Sequence, residues 1–256
     1  MKVFVAFFKK ELLETKRSGK LILYLILSVA FGIMNPAVAK LTPVIVELFA
    51  DSLAEGGMIV TDVTVNAISS WTQFFKNIPM LLIIFVVAEG SRLSRELESG
   101  TLVLALSKGV ERYKVVSAKA SVTLLLWSAM YSISYLVTYF YTAFYWDNSI
   151  ADSIGFSAFC FWLFGAFTLS LAVLFGTAAK SYTAVLLSAC ASVAAVYVIS
   201  LIPTIGRFSP AKLMSGMELI VGRSEPIDFL PAALISALIG IAAVCLSFPI
   251  MNKREL

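Results

Sequence analysis

The sequence predicts an all-α polytopic membrane protein: six membrane-spanning helices, an amphipathic interfacial helix ahead of the first, and a short cytoplasmic helix between the second and third. Three observations carry that expectation. The chain is 59% hydrophobic and only 14% charged, with a mean hydropathy of +0.90, whereas soluble domains carry roughly 25% charged residues. Its apolar residues gather into runs of about 20, the length that crosses a bilayer core as a helix. Its Lys and Arg residues crowd onto alternate connections, as they do when one side faces the cytoplasm. Residues 1–256 read as one transmembrane domain.

The first element is residues 1–20, MKVFVAFFKKELLETKRSGK. Val3, Phe4, Phe7, Phe8 and Leu12 recur at helical spacing among Lys2, Lys9, Lys10, Lys16 and Arg17, which predicts an amphipathic helix in the inner membrane interface. The apolar run Val3 to Phe8 is too short for a secretory signal and no small-residue cleavage site follows it. Candidate spans are residues 21–39, 76–90, 118–143, 155–179, 182–202 and 230–250. Pro36, Pro79 and Pro203 fall at or near their ends, where lost backbone bonds cost least. The second run is short in apolar count and is expected to borrow residues on either side. Segments 40–75 and 203–229 are expected outside. In the first of these, Val44, Ile45, Leu48, Phe49 and Leu53 beside Glu47, Asp51 and Glu55 predict a short amphipathic helix.

With both termini inside, fifteen of the twenty Lys and Arg residues fall on the cytoplasmic side, and Lys40, Lys76, Arg207, Lys212 and Arg223 fall outside. That threefold bias fixes the orientation. The net charge of +4 therefore records topology and implies no nucleic-acid partner. The three cysteines, Cys160, Cys190 and Cys245, all lie in apolar runs and read as packing residues.

Residues 91–117 form the cytoplasmic insert. The stretch 91–119 carries nine charges, Arg92, Arg95, Glu96, Glu98, Lys108, Glu111, Arg112, Lys114 and Lys119. At about 3 kcal/mol each, holding them in mid-membrane would cost on the order of 25 kcal/mol, so the stretch stays in water. Thr101 is a good N-cap type for a helix from Leu102 to Ser107, and Lys108-Gly109 stops it. So short a helix is marginal alone. Its Leu102, Ala105 and Leu106 share a face at i, i+3 and i+4, which needs a partner. The rim of Glu96, Glu98, Lys108, Glu111 and Arg112 suits a protein groove better than acyl chains. The plainer alternative makes Gly100 and Gly109 turn residues only and lays the leucines on lipid.

The stretch ESGTLVLALSKGVERYKVVSAK, residues 98–119, resembles the hallmark of type-2 ATP-binding cassette (ABC) permeases: an acidic residue, Gly-Thr-Leu, a Leu-rich helix, a small turn and a Lys before the third span. Residues 207–222, RFSPAKLMSGMELIVG, resemble the outer segment between the family's last two spans. Gly109 stands where the family's turn often has Pro. The resemblance implies that the insert is a coupling helix docking into a cytoplasmic ATPase, with Glu98, Gly100, Thr101, Leu102, Leu106 and Arg112 on the docking motif. It also implies a second permease copy or sister permease, a bacterial cytoplasmic membrane, and ATP and Mg held by the partner ATPase.

The chain encodes no phosphate-cradling loop. Ser18-Gly19-Lys20-Leu21 is a decoy, with Glu14 and Leu21 where Gly and Ser or Thr belong. The expectation is a non-enzyme with no cofactor or metal of its own. The absence of histidine removes Ser-His and most metal hydrolases. The spans are almost free of ionisable residues, which weighs against ion-driven transport. Glu89 comes nearest, and is expected to pair with Arg92 at the inner surface.

In the third span Trp127, Tyr131, Tyr135 and Tyr139 recur every four residues. They read as packing first and as a candidate substrate path second. In the path reading their hydroxyls suit an amphipathic substrate, such as a membrane-active peptide. The fifth span is rich in small residues, Ser188, Ala189, Ala191, Ser192, Ala194 and Ala195, which allow close helix approach within the monomer or between two copies. The leading expectation is an ABC exporter permease. The rival is a non-transporting immunity or scaffold protein that recruits an ATPase through the same helix.

Overall fold

Every expected span is a helix in the computed structural model, which describes residues 2–49, 64–90, 92–98, 100, 102, 110–179 and 181–253. In chain order the helices are α1 Lys2–Arg17, α2 Lys20–Leu48, α3 Ala67–Glu89, α4 Arg92–Glu98, α5 Arg112–Tyr145, α6 Ile154–Ala178, α7 Tyr182–Ser200, α8 Pro203–Gly206, α9 Gly216–Ile220 and α10 Leu230–Lys253. Among the described residues there is no strand. Six helices, α2, α3, α5, α6, α7 and α10, are long and apolar enough to cross a bilayer.

Two spans differ from the sequence expectation in length. α2 continues through Lys40 and Pro43 to Leu48, so the apolar positions expected as a separate outer helix extend the first span instead. Leu53, also placed on that helix, lies outside the described residues. α3 begins nine residues before the expected start. Asn66 and Ser69 bond reciprocally as a capping box. Behind it Ser70 and Thr142 share a 2.7 Å hydroxyl bond, and Trp71 and Phe74 are fully buried. Ser, Thr, Gln, Lys and Asn at 69–77 hid this turn from a hydropathy reading, because their polar groups are satisfied or turned outward while the aromatics face the core.

Proline inside α2 is offset by a neighbouring helix. Pro36 has no N–H to give the carbonyl of Gly32, and Thr138 of α5 donates its hydroxyl there at 3.1 Å. Asn35 donates to Thr138 at 3.0 Å and receives the amide of Asn77 from α3 at 3.0 Å. One polar knot thus joins the first three spans.

The main core lies between α3, α5 and α6 and is aromatic: Trp71, Phe74, Phe85, Trp127, Phe161 and Phe164. The 203–229 region closes one end. Leu213, Leu219 and Phe229 are buried there, and Gly216 lies so close to Phe75 that a Cβ would sit 2.6 Å from the ring. α7 stands at the edge of the bundle, with only Val185 and Ala189 buried. α1 folds back through Gly19, whose φ of +74° suits glycine, and packs against α5. The start of α1, the end of α10 and the described part of the α3–α5 connection share one end, where Phe7, Leu93, Leu102, Val115, Val116 and Met251 form a second small core.

Candidate functional site: the base of the α3–α5 insert

α1 positions a buried carboxylate. Its Phe7, Phe8 and Leu12 are half-buried and pack against the chain's own cores. Glu11 on the same side has no exposed side-chain surface. It takes Lys119 of α5 at 2.9 Å and Arg92 of α4 at 3.3 Å. Arg92 also reaches Glu89 at 3.3 Å, the pairing expected from sequence, and donates to the Thr15 hydroxyl. Glu89 is 1% exposed and further receives Lys20 at 2.7 Å and the hydroxyl of Tyr24. Lys119 bridges to Glu96 at 2.7 Å, and Lys10 reaches Glu96 at 3.0 Å.

The cluster balances four cations, Lys10, Lys20, Arg92 and Lys119, with four carboxylates, Glu11, Glu14, Glu89 and Glu96. Glu11, Glu14 and Glu96 converge as three metal-type ligands would. The Lys10 ammonium sits among them at 3.2, 3.2 and 3.0 Å, so a protein cation fills that point. Burial works against both members of the Lys10–Glu11 pair. The carboxylates of Glu11 and Glu96 still hold the Lys10 ammonium above its ordinary pKa, and Lys119, Lys10 and Arg92 hold Glu11 below its own.

The residues singled out in the insert have the following places. Glu96 belongs to the cluster. Glu98 accepts the backbone N–H of Tyr182 at 2.9 Å, which puts an anion on the N-terminus of α7. Arg112 donates to the carbonyls of Met251 and Asn252, at 2.7 and 3.0 Å, near the C-terminus of α10. Gly100 takes φ +69° with open space around it, the turn expected of it. Leu102 is 1% exposed, covered by Leu93, Val115, Val116 and Met251. Thr101, Ala105 and Leu106 lie outside the described residues. Four of the five described docking residues, Glu96, Glu98, Leu102 and Arg112, are therefore held by the chain itself, and together they tie α4 and the start of α5 to α1, α7 and α10.

The sequence reading missed Glu11, Lys119 and Lys20 as partners of this base. A signal was present: Glu11 interrupts the apolar stripe of α1 between Phe7 and Thr15, and a lone carboxylate on a burying face implies a cation opposite it.

The aromatic stripe divides. Trp127 is fully buried, and a Cβ on Gly165 of α6 would fall 2.4 Å from its ring. Its indole N–H donates to Trp162 O at 3.2 Å. Tyr131 is 4% exposed and donates to Ala158 O at 2.7 Å. These two are packing residues of the monomer. Tyr135 and Tyr139, half-buried, line an open cleft of about 460 Å³ with Phe140, Ala151 and Ile154.

A family model described as ABC-2 family transporter protein matches residues 5–239. No curated protein and no solved structure matches the chain.

Proposed function

We propose, from the premise that the chain belongs to the ABC-2 transporter family and is a membrane subunit of an ABC transporter, that it works as the permease half of an exporter driven by a separate ABC ATPase. The tip of the insert, with Thr101, Ala105 and Leu106, is the docking helix; its base, with Glu96, Glu98, Leu102 and Arg112, is the lever arm. ATP and Mg bind the partner. Hydrolysis there shifts the tip, and the base carries the shift to α1, α7 and α10. The single observation that supports this reading is the Glu98 carboxylate on the first N–H of α7, because it joins the insert to the span at the edge of the bundle.

The exposed small-residue face of α7, with Ala191 and Ala195, is where a second permease half packs, either another copy or a sister chain. The insert end, which carries fifteen Lys and Arg residues, faces the cytoplasm of a bacterial plasma membrane together with both termini. The substrate is a hydrophobic or amphipathic molecule of the membrane-active peptide kind, for which the Tyr135–Tyr139 cleft supplies a wall.

Leu106→Asp tests the docking assignment. The variant is expected to lose copurification with the ATPase while keeping its detergent-solubilised fold. An intact complex would refute the assignment. Reconstituted wild-type complex is expected to hydrolyse ATP faster when substrate is present, which a scaffold protein would not do.

A further inference from the structure

We propose that Lys76 is an intramembrane binding site for the anionic group of an amphipathic substrate, whose apolar part lies along Met80, Ile83 and Val87 of the same helix. The proposal rests on the transporter reading above and adds a substrate class to it.

The corrected extent of α3 brings Lys76 into view. It lies thirteen residues from Glu89, or about 20 Å along the helix. Lys20 and Lys40 of the neighbouring α2 are about 30 Å apart, close to the hydrocarbon thickness, and Lys20 pairs with Glu89. The Asn77 amide that meets Asn35 at 3.0 Å sets Lys76 level with Asn35 and Pro36, about 6 Å below Lys40. Every other Asp, Glu, Lys or Arg in the six long helices stands at one of those two levels or beyond.

Lys76 is exposed on the bundle surface. At the insert end all four clustered cations meet carboxylates, whereas Lys76 has neither an ion pair nor a hydrogen bond among the described residues. An ammonium in hydrocarbon calls for a counter-charge, and intramembrane charges mark substrate or ion pathways. The surface beside it fits an amphipath. Gln73 lies half-buried one turn outward, and Met80, Ile83 and Val87 follow inward at 61, 62 and 45% exposure. The strip ends at the insert: the carbonyl of Val87 accepts the Tyr182 hydroxyl at 3.2 Å and Arg95 at 3.4 Å. A guest seated on Lys76 thus touches, at its far end, the junction of α3, α4 and α7.

Binding is measured on the permease alone in phosphatidylcholine nanodiscs, so that failure here is separate from failure of the ATPase reading. The probes are fluorescent lysophosphatidylglycerol, lysophosphatidylcholine and, as competitor, inorganic phosphate. Wild-type protein is expected to hold the anionic lysolipid about tenfold more tightly than the zwitterionic one, a step that corresponds to 1.4 kcal/mol. Lys76→Gln is expected to erase that preference, and Lys76→Arg to keep it. Phosphate is expected not to compete, since it lacks the apolar part. If Lys76 only snorkels to the outer headgroups, the wild type and Lys76→Gln will bind both lysolipids alike, and the proposal fails. Full competition by phosphate would overturn the amphipathic substrate class.

Discussion

The cations at the insert end and Lys76 in the body of α3 are the same chemical groups in opposite circumstances. Lys119 is 3% exposed and touches two carboxylates; Lys76 is exposed and touches none among the described residues. The first arrangement is how a fold buries charge: each cation removed from water is returned to a carboxylate, and the cluster closes as four against four. The second has no counter-charge among the described residues. Where charges balance inside the chain, the role is to hold helices together. Where one does not, the charge is open to another molecule, which is what the Lys76 variants test.

Removing one member of the balanced cluster is the most damaging way to break this comparison. Lys119→Met is expected to destabilise the protein by about 3–5 kcal/mol, because Glu11 would be left buried with less compensation. Thermal unfolding in detergent reads the loss. Glu11→Leu combined with Lys119→Met is expected to recover part of it, since two apolar groups leave less charge unpaired. A single variant as stable as wild type would mean that the pairing does not hold α1 in place.

Glu98→Gln sharpens the contrast between holding and transmitting. The variant is expected to keep the ATPase complex, because the docking tip is untouched, and to lose most substrate-stimulated hydrolysis, because the tie to α7 weakens. A decrease of about tenfold corresponds to 1.4 kcal/mol, within the worth of a charged hydrogen bond. Unchanged stimulation would remove α7 from the lever.

Acidification acts on the cluster through Glu11. Its carboxyl is held below the ordinary range despite burial, by Lys119, Lys10 and Arg92. A carboxyl with a depressed folded pKa contributes stability that is present above its unfolded pKa and lost as pH falls through the folded value. The attachment of α1 is therefore expected to weaken only below the usual carboxylate range, read as faster proteolysis of residues 2–17. In Glu11→Leu that step should vanish. A loosening near neutral pH would point to another group.

The number, order and hand-to-hand sharing of one end by the spans were legible because apolar runs report membrane length directly. The start of α3 was not, because Ser69, Ser70, Thr72, Gln73, Lys76 and Asn77 read as loop chemistry until Thr142, Asn35 and Met217 are seen to answer three of them. That misplacement sent Lys76 to the outer surface. In the insert, motif spacing marked Glu96, Glu98, Leu102 and Arg112 as special, but spacing cannot say whether a residue faces a partner or its own chain. Glu98 illustrates this: one acidic position serves as a cap on a helix that begins 84 residues later.

The smallest effect separates the two halves of the aromatic stripe on α5. Tyr131 lies sealed against α6, its hydroxyl donating to Ala158 O at 2.7 Å, and its ring stacks on Phe161 with centroids 6.1 Å apart. Tyr131→Phe leaves the ring in place and removes one buried hydrogen bond to a carbonyl that keeps its helical N–H partner, a loss of about 1 kcal/mol. Tyr135 and Tyr139 pack on Trp71 through their rings and border the open cleft. Their conversion to Phe is expected to leave thermal stability unchanged and to alter transport instead, if amphipathic guests use those hydroxyls. Measured together, the three variants divide packing from path along one helix: stability falling at Tyr135 or Tyr139 as it does at Tyr131 would assign the entire stripe to the core, and the cleft would lose its claim on the substrate.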